Sequence, residues 1–189
     1  MGKTFTTDKE SAQASKCVLN GDERILPRII SRKPFKDDVH PLDKKFIINL
    51  LKIVPIEYLK GLSRIELRTR QGDIGMPFGE YWRDEKCIIL FSLPSHWKMK
   101  SLSTSLRKSL TKFHADIQEH EHHYSVDFSN IGVFGLWFYS YVFAHELGHH
   151  YREEYKKKNS RASALHEEWI ADLHADRLTD YVLHRKYKS

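Results

Sequence analysis

The chain of 189 residues has only two cysteines, Cys17 and Cys87, and they stand far apart. Two isolated thiols cannot form the framework of a disulfide-rich secreted domain, and they lack the paired spacing of a cysteine-type zinc module. The sequence therefore excludes both classes. Because free thiols are typical of a reducing compartment, we expect a cytoplasmic protein.

Long apolar runs are also absent. The longest, residues 131–144, contains Gly, Ser and Tyr and is shorter than the ~20 residues that span a bilayer. The first ten residues lack the apolar centre of a secretory signal, and residues 1–24 have few large apolar side chains. We predict no membrane span, a poorly ordered tail over residues 1–24 and a single domain over residues 25–189.

The charge balance is moderately basic, since 31 Lys and Arg residues against 25 Asp and Glu residues leave a formal charge of +6. A basic balance is a first indication of nucleic-acid binding. Here, however, the basic residues are spread along the chain and match no DNA-binding motif, so we expect most of them on solvated helix faces. A nucleic-acid partner stays open but has no motif to support it.

The first half of the chain combines one helix with strand patterns. Residues 41–54 carry an apolar stripe at helical spacing and predict an amphipathic helix. Residues 65–70 alternate apolar and polar positions, as a half-buried strand does. Residues 79–82 and 87–92 flank a charged turn, which predicts an antiparallel hairpin.

The second half of the chain is mainly helical in pattern. Residues 98–117 have apolar positions at helical spacing among several lysines and arginines, which predicts a long basic helix. Two further helices are predicted at about residues 133–157 and 163–187. A helix, then a small antiparallel sheet, then further helices is the order of an α+β fold.

The second-last helix contains the motif His145-Glu146-Leu147-Gly148-His149. Four residues of α-helix turn through about 400°, so His145 and His149 leave the same face one turn apart. Two imidazoles at that separation can bind one tetrahedral zinc ion. Glu146 lies about 100° from His145, beside the metal, where it can take a proton from the attacking water and pass it to the leaving amine. The motif predicts a catalytic zinc site with Glu146 as general base and acid.

A catalytic zinc site needs a third protein ligand, and the last helix offers carboxylates for it. Glu168 and Asp172 recur one turn apart in a stripe that begins at Leu165, which predicts packing against the motif helix. Gly148 and Ala175 are small enough for the two backbones to approach closely and bring Glu168 to the metal. Asp172 could then accept the second ring N–H of a ligand histidine.

Three other side chains compete with Glu168 as the third ligand. Asp172 would serve if the helix were shifted by one turn, although its side chain is shorter. His166 lies about 160° around the helix from Glu168, so both cannot face the same ion. Glu167 sits one residue away from Glu168 and is the weakest of the three.

The His-Glu-Leu-Gly-His motif followed by Glu168-x-x-Ala171-Asp172 resembles the gluzincin metallopeptidases. It is most similar to their small intracellular relatives of the minigluzincin and ImmA/IrrE type, over roughly residues 65–183. The basic segment 98–117 and residues 118–130 depart from that pattern and leave the shape of the cleft open.

The resemblance implies a zincin-like fold, with a small antiparallel sheet, an active-site helix and a C-terminal helix that bears the glutamate. It implies that the strand at residues 87–92 is the sheet edge to which a substrate adds as a further strand. It also implies the roles of five residues: His145, His149 and Glu168 as zinc ligands, Glu146 as base, and Asp172 behind a ligand histidine.

Other aromatic and histidine residues have less certain roles. Tyr151 and Tyr181 are both candidates for stabilising an oxyanion, and the sequence does not choose between them. The aromatic residues of the segment 134–141 are expected in the core, His150 at the surface or behind the ligands, and the histidine-rich stretch 114–123 in an exposed loop or helix end.

We therefore predict a zinc-dependent endopeptidase that hydrolyses a protein or peptide substrate. The first alternative is a protease similar to the DNA-associated SprT-like enzymes, in which His166 would complete the zinc site. The second is a zinc-binding module without catalytic activity.

Overall fold

A computed structural model describes residues 16–19, 22–35, 37–70, 77–155 and 163–186. Helices and short strands alternate along the chain, and the predicted α+β class is confirmed. The helices are α1 Lys44–Ile53, α2 Thr104–Lys112, α3 Ile131–Phe138, α4 Ala144–Tyr155 and α5 Ala164–Lys186, with a 3-10 turn at Ile56–Tyr58 and a π-helical stretch at Tyr139–Phe143.

The strands are short and form four small sheets within the described residues. They are β1 Lys16–Leu19, β2 Asp22–Ile25, β3 Arg28–Ser31, β4 Asp38–Val39, β5 Arg64–Arg68, β6 Gly79–Trp82, β7 Cys87–Phe91, β8 Leu93–Pro94, β9 His96–Met99, β10 Asp116–Glu119 and β11 Tyr124–Asp127. Residues 1–15, 20 and 21 of the predicted tail lie outside the described residues, and the strands β1 and β2 pair antiparallel.

The largest sheet has the strand order β3-β5-β7-β6. β3, β5 and β7 are parallel, and β6 runs antiparallel to β7, so the predicted hairpin of β6 and β7 is present within a mixed sheet. The expectation that residues 87–92 form the sheet edge is wrong. β7 is an inner strand, and its residues 87–90 are all buried, as the continuous apolar run of an inner strand requires. β6 is the edge.

The long basic helix predicted over residues 98–117 is also wrong. Only α2 is helical there, starting after Ser103, whose hydroxyl accepts a hydrogen bond from the Leu106 amide at 3.2 Å. The flanking residues belong to β9 and β10, which pair with β11 on its two sides. Tertiary pairing therefore overrides the helical periodicity of the flanks. The predicted histidine-rich loop is strand β10 and the turn after it.

α3, the π-helical stretch and α4 form one continuous helical segment against the sheets. Its first part fills the core with aromatic rings, as predicted for Phe134, Trp137, Phe138 and Tyr139, which are all buried. Tyr141 differs from the prediction because it is only partly buried and lines a cleft. No helix in the described part of the chain is long and apolar enough to cross a membrane.

α4 and α5 pack side by side at Gly148. A Cβ atom on Gly148 would lie 2.7 Å from the Ala171 carbonyl oxygen and 2.9 Å from its Cα, so only glycine permits this approach. The small residue opposite Gly148 is thus Ala171, not the predicted Ala175. Leu165 was expected in the packed stripe, but it is 84% exposed because the helices contact each other further along α5.

Candidate metal centre

The first turns of α4 hold the two motif histidines next to the Glu168 carboxylate. The Nε2 atoms of His145 and His149 are 3.0 Å apart, and their ring planes cross at 83°. Glu168 on α5 brings Oε2 to 3.3 Å from His145 Nε2 and Oε1 to 3.5 Å from His149 Nε2. Three residues named from the sequence are therefore brought together as a group that could hold a metal ion.

The spacing of these atoms can be compared with a zinc site. Zinc binds nitrogen and carboxylate oxygen at about 2.0–2.2 Å, and tetrahedral corners at that distance are about 3.3–3.5 Å apart. The three separations of 3.0, 3.3 and 3.5 Å lie close to that edge length. Two imidazoles and one carboxylate also match the donor set of catalytic zinc sites that keep a fourth position open. The residues fit the ion.

Asp172 holds the other side of the His145 ring. Its Oδ1 lies 2.8 Å from His145 Nδ1, so the ring donates its Nδ1–H to the carboxylate and turns the Nε2 electron pair toward Glu168. Burial alone would lower the pKa of His145, but the hydrogen bond to Asp172 and the nearby carboxylates raise it overall. The pKa of His149 is lowered by burial and by His145. A proton in the cluster therefore resides on His145 in preference to His149.

The other candidates for the third ligand lie elsewhere. Asp172 binds Nδ1 of His145, away from the point where the two Nε2 atoms meet. His166 is exposed and stacks on the Trp169 ring, with 5.7 Å between the ring centroids. Glu167 forms an ion pair with Arg83. Glu168 is thus the carboxylate in the group, and its side chain is 59% exposed where the histidines are less than a fifth exposed.

Glu146 is buried between α4 and the edge strand β6. It is 7% exposed, and its carboxylate accepts a hydrogen bond from the Tyr81 backbone amide. The pKa of Glu146 is raised to about 7, mainly by burial and also by the negative charges of Glu168 and Glu80, although His145 and the Tyr81 amide oppose the rise.

Strand β6 reaches Glu146 because Gly79 has no side chain. A Cβ atom on Gly79 would lie 2.7 Å from Val142 Cγ1 and 3.2 Å from Glu146 Cγ. The strand therefore lies directly against α4 and forms one wall of a cleft of about 310 Å³. The cleft is also lined by Phe78, Tyr141, His145, Glu146, Glu168 and Asp172.

Among the described residues that line this cleft, Tyr141 is the one tyrosine. From the sequence, Tyr141 was expected in the core and was not named as a site residue. Of the two tyrosines named as oxyanion candidates, neither lines the cleft, and Tyr151 instead stacks on Tyr58 with ring centroids 4.5 Å apart. A signal was available, because Tyr141 precedes His145 by four residues and so by one helical turn. Its aromatic neighbours hid that signal.

His150 is fully buried, so of the two positions expected for it, at the surface or behind the ligands, the surface position is wrong. Its Nε2 lies 2.9 Å from the Lys60 carbonyl oxygen and its Nδ1 3.1 Å from the Tyr81 hydroxyl. The ring therefore donates to Lys60 and accepts from Tyr81, and burial lowers its pKa. By holding Tyr81, His150 fixes the strand whose amide binds Glu146.

No protein-family model matches this sequence, and no curated protein or solved structure is detectably similar to it.

Proposed function

We propose that this protein is a zinc-dependent endopeptidase of the gluzincin type, with a zincin-like fold and a cytoplasmic location. One observation carries the proposal: the Nε2 atoms of His145 and His149 and the carboxylate of Glu168 converge within 3.0–3.5 Å beside a buried glutamate. A buried free thiol at Cys87, whose pKa burial raises to about 11, is consistent with a reducing compartment.

In this proposal His145, His149 and Glu168 hold the zinc ion and Asp172 keeps the Nε2 electron pair of His145 available to it. When bound there, zinc would polarise the scissile carbonyl and bring the pKa of a water molecule toward neutrality. The exposed side of the group, where Glu168 and Asp172 lie, faces the cleft and gives a substrate access.

Glu146 is the proposed general base and acid. It lines the cleft beside His145, and the Tyr81 amide holds its carboxylate in position. A carboxylate takes a proton from water most efficiently when its pKa is near the working pH, and burial moves Glu146 in that direction. The same proton then passes from Glu146 to the amine nitrogen as the peptide bond breaks, so the carboxylate is regenerated.

Strand β6 is the proposed site of substrate addition, in place of the inner strand β7. The Phe91 amide donates to the Phe78 carbonyl, so Phe78 and Phe91 are a hydrogen-bonded pair of the antiparallel ladder. In such a ladder every second residue bonds to the neighbouring strand, so Phe78 bonds to β7 and the next residue, Gly79, does not. The N–H and C=O of Gly79 therefore point away from β7, and Gly79 lines the cleft. An extended peptide could pair with Gly79 next to Glu146.

Tyr141 is the proposed donor to the oxyanion. Its hydroxyl is hydrogen-bonded to Ser105, and the ring is fixed by stacking on Trp137 at 5.6 Å between centroids. Burial raises the pKa of Tyr141, with Asp172 adding to the rise, so the hydroxyl keeps its proton at neutral pH. A fixed neutral donor in a partly desolvated cleft is what oxyanion stabilisation requires.

The test compares zinc-loaded wild type with Glu146→Gln on a diverse library of unstructured peptides. Both should contain one zinc ion per chain by elemental analysis, whereas cleavage by the variant should fall by about 10²- to 10⁴-fold. Glu57→Gln, an exposed change in the 3-10 turn, is the control and should cleave normally.

Zinc-loaded wild type that cleaves no peptide would favour the non-catalytic zinc module. Cleavage that requires added DNA, with zinc retention lost in His166→Ala, would favour the SprT-like alternative. Full activity in Glu146→Gln would eliminate the proposed base.

A further inference from the structure

We propose that the groove between α2 and α5 binds the substrate beside the scissile bond, and that Lys108 and Lys112 select a peptide carboxylate there. The inference rests on the proposed peptidase function and adds a substrate class to it. The carboxylate is either an acidic side chain or the C-terminus of the peptide.

The groove is continuous with the cleft of the metal centre. It has a volume of about 480 Å³, within the range of ligand pockets. Ser105, Tyr141 and Asp172 line both spaces, so a chain leaving the metal centre past these residues enters the groove.

The α2 wall is basic and firmly anchored. Leu106 and Leu110 on its inner face are buried, and Trp137 Nε1 donates to Ser109 Oγ at 3.1 Å. The outer face presents Lys108 and Lys112, both exposed, one turn apart and lining the groove. Neither ammonium forms an ion pair with a carboxylate among the residues that the structure describes. Both cations are therefore available to a ligand.

The α5 wall is acidic. It contributes Asp172, which is bonded to His145, and Asp176 one turn further on. A carboxylate entering the groove is repelled by these groups and attracted by the lysines opposite, so the charge pattern gives the ligand one orientation across the groove.

The positions of Lys108 and Lys112 along α2 determine which residue of the substrate they can contact. An α-helix rises 1.5 Å per residue, so Lys108 lies about 4.5 Å and Lys112 about 10 Å beyond Ser105 along α2. An extended peptide advances about 3.3 Å per residue. The lysines should therefore meet a carboxylate about one to three residues from the scissile bond, on one side of it.

The experiment uses peptides with a C-terminal amide that carry Glu or Gln at each of the three positions on either side of the scissile bond. We expect kcat/KM to favour Glu by about 5- to 30-fold at one or more positions on a single side, as two partly exposed ion pairs allow, and less at high salt. The double variant K108E/K112E should lose or invert this preference. K44E/K45E makes the same change of charge on α1, outside both spaces, and should keep it.

A second arm measures binding of the same fluorescent peptides, as amides and as free acids, to zinc-loaded Glu146→Gln. Tighter binding of Glu peptides identifies side chains as the source, and tighter binding of free acids identifies the C-terminus; either dependence must vanish in K108E/K112E.

Equal cleavage of Glu and Gln peptides together with equal binding of amides and free acids overturns the groove proposal and leaves the peptidase intact. Loss of the preference in K44E/K45E as well overturns it too, because net charge would then be responsible. If wild type cleaves nothing, the peptidase proposal fails, and the binding arm still decides whether the lysines select a carboxylate.

Discussion

Two clusters of ionisable side chains in this protein differ in whether they contain their own counter-ions. At β5, buried Glu66 receives hydrogen bonds from Arg64 Nε at 2.6 Å and Arg68 Nε at 2.8 Å, so its charge is balanced by its own strand. At the candidate metal centre, the Nε2 atoms of His145 and His149 and the carboxylate of Glu168 face one another at 3.0–3.5 Å. The first cluster balances the charge of its carboxylate with arginines of the same strand, whereas the second has no lysine or arginine among its three members and could hold a metal ion.

The largest effect should come from breaking the second cluster. His149→Ala removes one of two imidazoles, so the zinc content should fall from one ion per chain to none after dialysis against micromolar free zinc. Added zinc should raise the Tm of the wild type and leave that of the variant unchanged. His166→Ala on α5 is the matched control and should bind zinc normally; loss of zinc there would show that the third ligand is misassigned.

Breaking the first cluster should change stability and not zinc affinity. Glu66→Gln leaves two arginines without their shared carboxylate, and we expect a loss of about 2–3 kcal/mol in the free energy of unfolding. This is less than for full burial because both arginine side chains are about a quarter exposed. Urea unfolding measures the loss, and exposed Glu57→Gln should be neutral. If Glu66→Gln lost as much free energy of zinc binding as of unfolding, the two clusters would not be independent, which would contradict this prediction.

Acid should remove the difference in the free energy of unfolding between wild type and Glu66→Gln. Burial alone would raise the pKa of Glu66, but the hydrogen bonds from Arg68 and Arg64 lower it below 4.5 overall. The carboxylate therefore stabilises the fold fully above about pH 5.5, and this contribution is lost as the pH falls through the folded-state pKa. The free energies of unfolding of wild type and Glu66→Gln should converge in acid; a gap that stays constant to pH 3 would refute the assignment.

A substitution next to a zinc ligand should weaken zinc binding at the candidate metal centre without abolishing it. Asp172→Asn keeps a hydrogen-bond acceptor for His145 but removes the negative charge behind the ring, so zinc affinity should fall by about 10- to 100-fold. Competition with a chromogenic chelator measures this. Asp176→Asn, one turn along α5, is the control, and a similar loss in both variants would point to general electrostatics instead.

The smallest expected effect is a change in stability on removing the Thr179 hydroxyl, which belongs to neither cluster. The Thr179 hydroxyl on α5 is buried and has no hydrogen-bond partner among the described residues. Thr179→Val should therefore stabilise the protein by about 1 kcal/mol, seen as a higher urea midpoint with an unchanged slope. Thr111→Val removes a hydroxyl that bonds the Arg107 carbonyl at 2.9 Å and should not stabilise.

Local spacing predicted the grouping of His145, His149 and Glu168 better than it predicted the sheet. His145 and His149 meet because they are four residues apart on one helix, and Gly148 signals the close approach of a second helix that carries Glu168. The edge role of residues 87–92 and the helix over 98–117 failed for a shared reason. Which strands pair, and whether a strand lies inside or at the edge, depends on partners distant in sequence, and periodicity does not record them.

The π-helical stretch at Tyr139–Phe143 has a geometric consequence for everything that follows it. In an unbroken α-helix, eleven residues turn through about three circuits plus 20°, so His145 would point the same way as Phe134, and His149 the same way as Phe138. Those phenyl rings are buried. The wide turn takes in one additional residue and rotates the rest of the helix by about 100°. If that turn became regular α-helix with no residue removed, both imidazoles would swing toward the side of the buried phenyl rings, and His145 and His149 would part from Glu168 although all three stay in the sequence. Removing one residue from the turn should instead leave an unbroken α-helix that presents both imidazoles as they stand.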